Sequence, residues 1–336
     1  MRNYCTTDLK SKQVVYIAKS YDRSKQANLV LADILETLND KRWLDVRSCT
    51  RAYNFGWCHV CNVVHTSNAN TCKHRLCPLC QVRRSRKMAR EAISAFELMR
   101  DSGQLEGCSL YLLTLTQKNV DRGQLAITID EMLDALKRLR HIRDVRRSLV
   151  GSARNIEVTY NYRMHTWHPH VHLILILKDG NKAMTKKKYW QALWASLMGL
   201  SYKPETDFQK IRDEGAIFEV SKYVAKSTEM LMSINEDEKV DVIDELNKAL
   251  ADRNLTIYTG IWRKARRALK MVDHDDGSDV LWPDKCGCGG EFINALMVWN
   301  GNEYVVAEPD ERLKDVPDDK KLAAHMLFEI LDGKKG

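Results

Sequence analysis

The run HPHVHLILIL at 168–177 sets three imidazoles two residues apart. Side chains two apart on a strand share a face, so His168, His170 and His172 point one way and Val171, Leu173 and Leu175 the other. Neutral imidazoles on one face suit a transition metal, or Mg2+ or Mn2+ completed by oxygen ligands. The preceding run RNIEVTYNY, folded back as a hairpin partner, brings Glu157 and Thr159 together opposite Ile156 and Val158. Glu157 is then the expected third ligand of a catalytic divalent ion. Two alternatives stay open: a polar sheet face with incidental histidines, and the histidine–carboxylate set of an iron oxygenase, which nothing else in the chain supports.

A second constellation is EVSKYVAK, with Glu219 and Tyr223 four apart and so on one face of a helix. Lys222 and Lys226 flank them. A tyrosine beside cations is a plausible nucleophile, provided charge or metal polarisation compensates for a phenol pKa near 10. Glu219 has the spacing of a general base. The plain alternative is a solvated helix with one tyrosine packed on a sheet.

Six of the ten cysteines lie between residues 49 and 80. Cys58 and Cys61 form one CxxC, and Cys77 and Cys80 form another fifteen residues on. That spacing predicts a structural Zn2+ site of four thiolates, with Cys49, Cys72 and nearby histidines as alternative ligands. Cys286 and Cys288 form a CxC with two readings, a second metal or nothing, and it is read here as holding nothing. Directly after the cysteine block come Arg83, Arg84, Arg86, Lys87 and Arg90. A further run comprises Lys137, Arg138, Arg140, Arg143, Arg146 and Arg147. Such arrays neutralise phosphates, although a charge run is commonly just a solvated face. Arg83, Arg84, Arg86 and Lys87 are the expected DNA contacts. Trp167, Tyr189, Trp190 and Trp194 are candidates for stacking on unpaired bases, with the core as the equal alternative for Trp190 and Trp194, which are four apart.

The elements that must position these groups follow from periodicity. Residues 1–45 read as helix with polar linkers. A strand is predicted at CSLYLLTLTQ, then a charged helix over 130–150, two strands at RNIEVTYNY and HPHVHLILIL joined near MHTW, and helices at 186–199, 216–231 and 236–252. The order implies an α+β fold with a mostly antiparallel sheet. Expected domains are an N-terminal helical segment at 1–45, a zinc module and basic helix at 46–100, a catalytic domain at 105–275 and an acidic segment at 276–336. The 336 residues carry a net charge of +8 and are 44% hydrophobic, which supports a buried core and points weakly to a polyanionic partner. No run of eighteen apolar residues and no apolar leader is present, so neither a membrane span nor export is expected. A reducing cytoplasm favours metal over disulfide for the clustered cysteines.

Together these motifs resemble the replication initiators of small rolling-circle plasmids, in the HUH endonuclease superfamily. YLLTLTQKNV at 111–120 resembles the family's first motif, HPHVHLIL its second and EVSKYVAK its third; CKHRLCPLCQVRRSRK at 72–87 resembles its cysteine-rich block. The likeness runs over roughly residues 45–270. It implies a central antiparallel sheet flanked by helices, and Mg2+ or Mn2+ on His170 and His172 with Glu157. It also implies Tyr223 as the nucleophile that nicks an origin strand, leaving a 5′-phosphotyrosine and a 3′-OH primer. With one motif tyrosine, the resemblance assigns the closing step to Glu219, and Lys226 would steady the developing charge. Origin DNA, a host helicase and a polymerase are the implied partners. A mobilisation relaxase or single-strand transposase is the nearest rival, since His168 could complete a three-histidine cluster. A zinc-containing DNA-binding regulator without catalysis is the rival of another class.

Overall fold

The computed structural model describes residues 6–58, 60–61, 64–67, 69–211, 227–269, 286, 288–290 and 292–307. Its helices, in chain order, are α1 Thr6–Thr37, α2 Trp43–Ser48, α3 Pro78–Asp101, α4 Leu125–Leu139, α5 Arg143–Ser148, α6 Lys187–Met198, α7 Ser227–Ser233, α8 Glu236–Leu250 and α9 Gly260–Ala268. Its strands are β1 Ala52–Cys58, β2 Val64–Ser67, β3 Cys108–Thr116, β4 Val120–Asp121, β5 Leu149–Asn161, β6 Thr166–Lys178, β7 Thr206–Lys210, β8 Ile257–Thr259, β9 Phe292–Trp299 and β10 Tyr304–Val306. The fold is α+β, built on a large antiparallel sheet flanked by helices. Among the described residues, no helix is long and apolar enough to cross a membrane.

The chain divides into two compact units, residues 1–80 with 277–336, and residues 81–276. In the second, a sheet of order β7-β3-β6-β5-β8 carries β4 as an extra partner of β6. β6 is central, and its residues from Pro169 to Leu177 are all buried. A strand covered on both faces reads as a near-continuous apolar run, which is what HLILIL is. On one face Ile174, Ile176, Leu110 and Ala153 pack against Ala92, Ala95 and Met99 of α3 and Trp262 of α9. On the other, α4 lies over β6, with Leu136 and Leu139 bordering the same hollow as Leu173 and Leu175. α4 buries Leu125, Ile129, Met132, Leu136 and Leu139, a three- and four-residue spacing that makes one apolar stripe.

The hairpin β5–β6 is long and regular, from Asn161↔Thr166 at its turn to Leu149↔Leu177, with one irregularity between Leu149 and Gly151. His165 closes the turn at φ 51°, a left-handed conformation within the usual range of turn residues. The charged helix expected over 130–150 is instead two helices, α4 and α5, and Leu149 and Val150 already belong to β5. Leu149 is held in the strand by pairing with Leu177 of β6, and Gly151 just beyond Val150 pairs with Ile176 and bridges Gly260, a tertiary preference that overrides helix propensity.

In the other unit the sheet is β10-β9-β1-β2, with β1 and β9 paired from Ala52↔Val298 to Cys58↔Phe292. The segment 276–336, expected to stand alone, thus contributes two strands to the unit formed by residues 1–80. VWNGNEYVV spans the turn between them. Tyr53 stacks on Tyr21 at 4.7 Å and meets Tyr304 edge-on at 4.8 Å, tying α1 and β10 to the centre of this sheet.

Among the described glycines of the 81–276 unit, Gly260 is the most tightly enclosed. It has φ +58°, and a Cβ placed on it would lie 1.9 Å from the Val150 carbonyl oxygen. No rotamer relieves a clash with backbone, so Gly260→Ala is expected to destabilise the protein by more than about 2 kcal/mol in urea unfolding. A loss under about 0.5 kcal/mol would mean that α9 does not start against β5 in this way.

Candidate metal centres and catalytic face

Strand register builds the first centre. Glu157 of β5 stands opposite His170 of β6, and Asn155 opposite His172. Across the other edge of β6, β3 sets Thr114 opposite His172 and Thr116 opposite His170. Alternation then puts the carboxylate, both imidazoles and both threonines on one face. The Oε2 atom of Glu157 lies 3.0 Å from His170 Nε2 and 3.1 Å from His172 Nε2. Glu157, His170 and His172 are all buried, at 4%, 9% and 5% exposure.

Tautomers follow from the outer contacts. His170 Nδ1 is 3.1 Å from the carbonyl oxygen of His168, which can only accept, so Nδ1 carries the proton. In the neutral ring Nε2 then presents a lone pair to a carboxylate oxygen at van der Waals range. Two electron-rich atoms that close need a cation between them, either a proton on the ring or a metal ion. His172 Nδ1 meets Thr114 Oγ1 at 3.1 Å, which can hold its ring the same way. An imidazole fixed through Nδ1 so that Nε2 faces inward is the usual outer contact of a metal ligand. The spacing also fits: ligands at about 2.1 Å meeting at right angles are about 3.0 Å apart. The residues therefore fit a divalent ion with two nitrogens, one carboxylate and open positions.

His168 is placed differently. Its ring centroid is 5.3 Å from that of His170, but it is not among the clustered ligand atoms. Burial holds its pKa below the ordinary value, reinforced by the neighbouring His170. Its carbonyl orients His170, and its ring adds no third imidazole to the cluster. Sequence reasoning missed Thr114 and the His168 carbonyl. The alternation Leu-Thr-Leu-Thr in YLLTLT was the available signal for Thr114.

The cysteines form two clusters, not the expected one. Cys49, Cys72, Cys77 and Cys80 converge, with sulfur separations of 3.6 Å for Cys49–Cys80 and Cys72–Cys80 and 3.7 Å for Cys49–Cys77. Four thiolates at about 2.3 Å from Zn2+ in a tetrahedron have edges of about 3.8 Å, so the set fits that ion. The N–H groups of Cys72 and His74 donate to Cys49 Sγ and Cys72 Sγ at 3.4 Å, and Asn28 Nδ2 donates to Cys77 Sγ at 3.4 Å. Buried Lys25 donates to the carbonyls of Arg47 and Cys49 at 2.8 and 2.7 Å, clamping the chain that delivers Cys49. Burial lowers the Lys25 pKa, and the adjacent thiolates oppose that shift. The expected tetrad Cys58, Cys61, Cys77, Cys80 is not formed. β1 carries Cys58 along its length to the end beside Phe292, where Cys58 and Cys61 meet Cys286 and Cys288. The alternatives Cys49 and Cys72 take their places beside Cys77 and Cys80.

A family model described as "Replication protein" matches residues 63–303. The chain belongs to this family. It is the family of plasmid rolling-circle initiators that its motifs resemble. Among curated relatives, a "Protein rep" from Bacillus sp is 31% identical over 63% of this chain and 75% of its own length. A "Protein rep" from Bacillus amyloliquefaciens is 30% identical, over 63% and 68%. One from Streptococcus pneumoniae is 27% identical, over 69% and 73%. No solved structure matches the chain.

The remaining site residues of this initiator divide sharply. Tyr223, Glu219, Lys222 and Lys226 lie outside the described residues. Of the expected DNA contacts on α3, Arg84 is buried at 4% exposure and Arg83 and Lys87 are half-buried, so these three form no open basic surface; the Arg86 side chain lies outside the description. The exposed basic run is the other one, Lys137, Arg138, Arg140, Arg143, Arg146 and Arg147. Trp167, Trp190 and Trp194 are core residues rather than base-stacking platforms. Trp190 Nε1 donates to the Met184 carbonyl and Trp194 Nε1 to that of Thr116, at 2.8 and 2.9 Å.

Replacing the shared carboxylate tests the first centre. Glu157→Gln keeps the shape but removes the anionic ligand. It is expected to weaken Mn2+ binding at least tenfold, read from the free Mn2+ signal in electron paramagnetic resonance, with the circular dichroism spectrum retained. Unchanged Mn2+ affinity would exclude Glu157 as a ligand.

Proposed function

We propose that this chain starts rolling-circle replication by nicking one strand of its plasmid origin through a covalent tyrosine intermediate. The observation that carries the reading is the convergence of His170, His172 and Glu157 on one sheet face, in a chain of the replication protein family. A divalent ion held there, Mg2+ or Mn2+, would draw charge from the scissile phosphate oxygens. The Tyr223 hydroxyl attacks phosphorus, an O–P bond forms, and the bond to the 3′ oxygen breaks. The products are a 5′-phosphotyrosine and a 3′-OH that a polymerase extends, with a helicase opening the duplex ahead. Lys226 or Lys222 steadies the developing negative charge. After one round Glu219 takes a proton from water, or assists strand closure, to end replication. Zn2+ on Cys49, Cys72, Cys77 and Cys80 has a structural role, since a closed four-thiolate set has no open position.

Single-stranded origin candidates incubated with Mn2+ should yield a covalent adduct whose DNA-linked peptide contains Tyr223, and Tyr223→Phe should yield none. An adduct persisting in Tyr223→Phe would overturn the nucleophile assignment. A wild-type chain that binds DNA without ever becoming attached would favour the non-catalytic regulator.

Duplex binding should depend on the exposed basic run. The triple variant Arg143→Ala/Arg146→Ala/Arg147→Ala is expected to flatten the dependence of log K on log salt by about 0.9 for each phosphate it no longer neutralises. The same slope in wild type and variant would move the duplex-binding surface elsewhere.

A further inference from the structure

Cys58, Cys61, Cys286 and Cys288 form a second four-sulfur cluster that the initiator chemistry does not use. Two turns deliver it. The antiparallel register that ends at Cys58↔Phe292 brings the end of β1 beside the start of β9. The turn leaving β1 carries Cys58 and Cys61, and the segment entering β9 carries Cys286 and Cys288. Their sulfurs all lie within 4.8 Å of one another, with Cys58–Cys288 at 3.6 Å and Cys61–Cys286 at 3.3 Å. None of the four is in a disulfide.

The second turn is shaped around the sulfurs. Gly290 N–H donates to Cys288 Sγ at 3.4 Å, Gly289 N–H to the Cys286 carbonyl at 2.8 Å, and Cys286 N–H to the Gly290 carbonyl at 2.8 Å. A Cβ on Gly290 would sit 2.8 Å from Cys58 Sγ, so only glycine lets this turn close onto the first pair. Cys58 and Cys286 are buried, while Cys61 and Cys288 reach the surface.

We propose that these four cysteines bind a second Zn2+, separate from the one at Cys49, Cys72, Cys77 and Cys80, which clips the C-terminal strands β9 and β10 onto β1. Paired two-cysteine turns converging from distant sequence are the closed geometry of structural zinc, and binding would release the thiol protons to solvent. The clip closes a loop spanning most of the chain, where a cross-link restricts the unfolded chain most. Family likeness does not carry this site, because Cys58 and Cys61 precede the matched stretch 63–303.

The test is zinc content of the full-length chain, purified under reducing conditions and desalted without added metal, with Co2+ exchange to count thiolate sites by absorption. About two equivalents are expected in the wild type. Cys61→Ser/Cys288→Ser, which alters only the exposed pair, should remove about one equivalent and about half of the Co2+–thiolate absorption. Cys77→Ser/Cys80→Ser should remove the other. Cys288→His should retain both, since imidazole can replace a thiolate. Zinc content unchanged by Cys61→Ser/Cys288→Ser, or a native mass showing a disulfide among the four, would overturn the proposal. Should the Cys49 reading fail instead, the wild type would hold about one equivalent, removed by the Cys61/Cys288 double variant but not by the Cys77/Cys80 one.

Discussion

One carboxylate oxygen of Glu157, buried at 3.0 and 3.1 Å from two imidazole nitrogens, is the contact on which the 81–276 unit is organised. A buried anion beside a lone pair is costly unless a cation shares the space. The protein accepts that arrangement and fixes it from behind, through the His168 carbonyl on His170 and Thr114 on His172. Preorganised ligands of this kind need little rearrangement when an ion arrives. The proposed ion site and the fold therefore depend on the same few atoms.

Register is what holds those atoms together. A one-residue slip of β5 against β6 would send Glu157 to the opposite face, where Leu173 and Leu175 lie under α4. The slip is opposed along the whole length of the hairpin. At one end, Ile174 and Ile176 are locked against α3 and α9. At the other, Tyr160 packs on Trp167 at 4.7 Å and donates its hydroxyl to Glu238 at 2.9 Å, which also contacts His165 at 2.8 Å. Apolar packing over one part of the face thus sets the position of polar chemistry on the rest.

Much of this was legible in the sequence, and what failed did so for particular reasons. The period-two pattern of HPHVHLILIL fixes which side chains share a face, and the hairpin with RNIEVTYNY follows from short connection length, so His170, His172 and Glu157 could be paired without coordinates. The cysteines could not be sorted in the same way. CxxC spacing says that two sulfurs turn toward one point, but not which pairs meet. That choice was made by β9, a strand far along the chain from β1 in a segment that composition marked only as acidic. The basic helix shows a related limit: a run of arginines gives charge, but burial of Arg84 depends on what packs there. The tryptophans resolved toward the core, where the ring nitrogens of Trp190 and Trp194 find backbone carbonyls.

The central claim is that this sheet face is a divalent-ion site. The most direct measurement is anomalous X-ray scattering from a crystal of the full chain grown with Mn2+. One strong anomalous peak is expected within bonding distance of His170 Nε2, His172 Nε2 and Glu157 Oε2, with the carboxylate and imidazoles turned toward it. A crystal saturated with Mn2+ that shows no peak there, and the two imidazoles still hydrogen-bonded to Glu157, would contradict it.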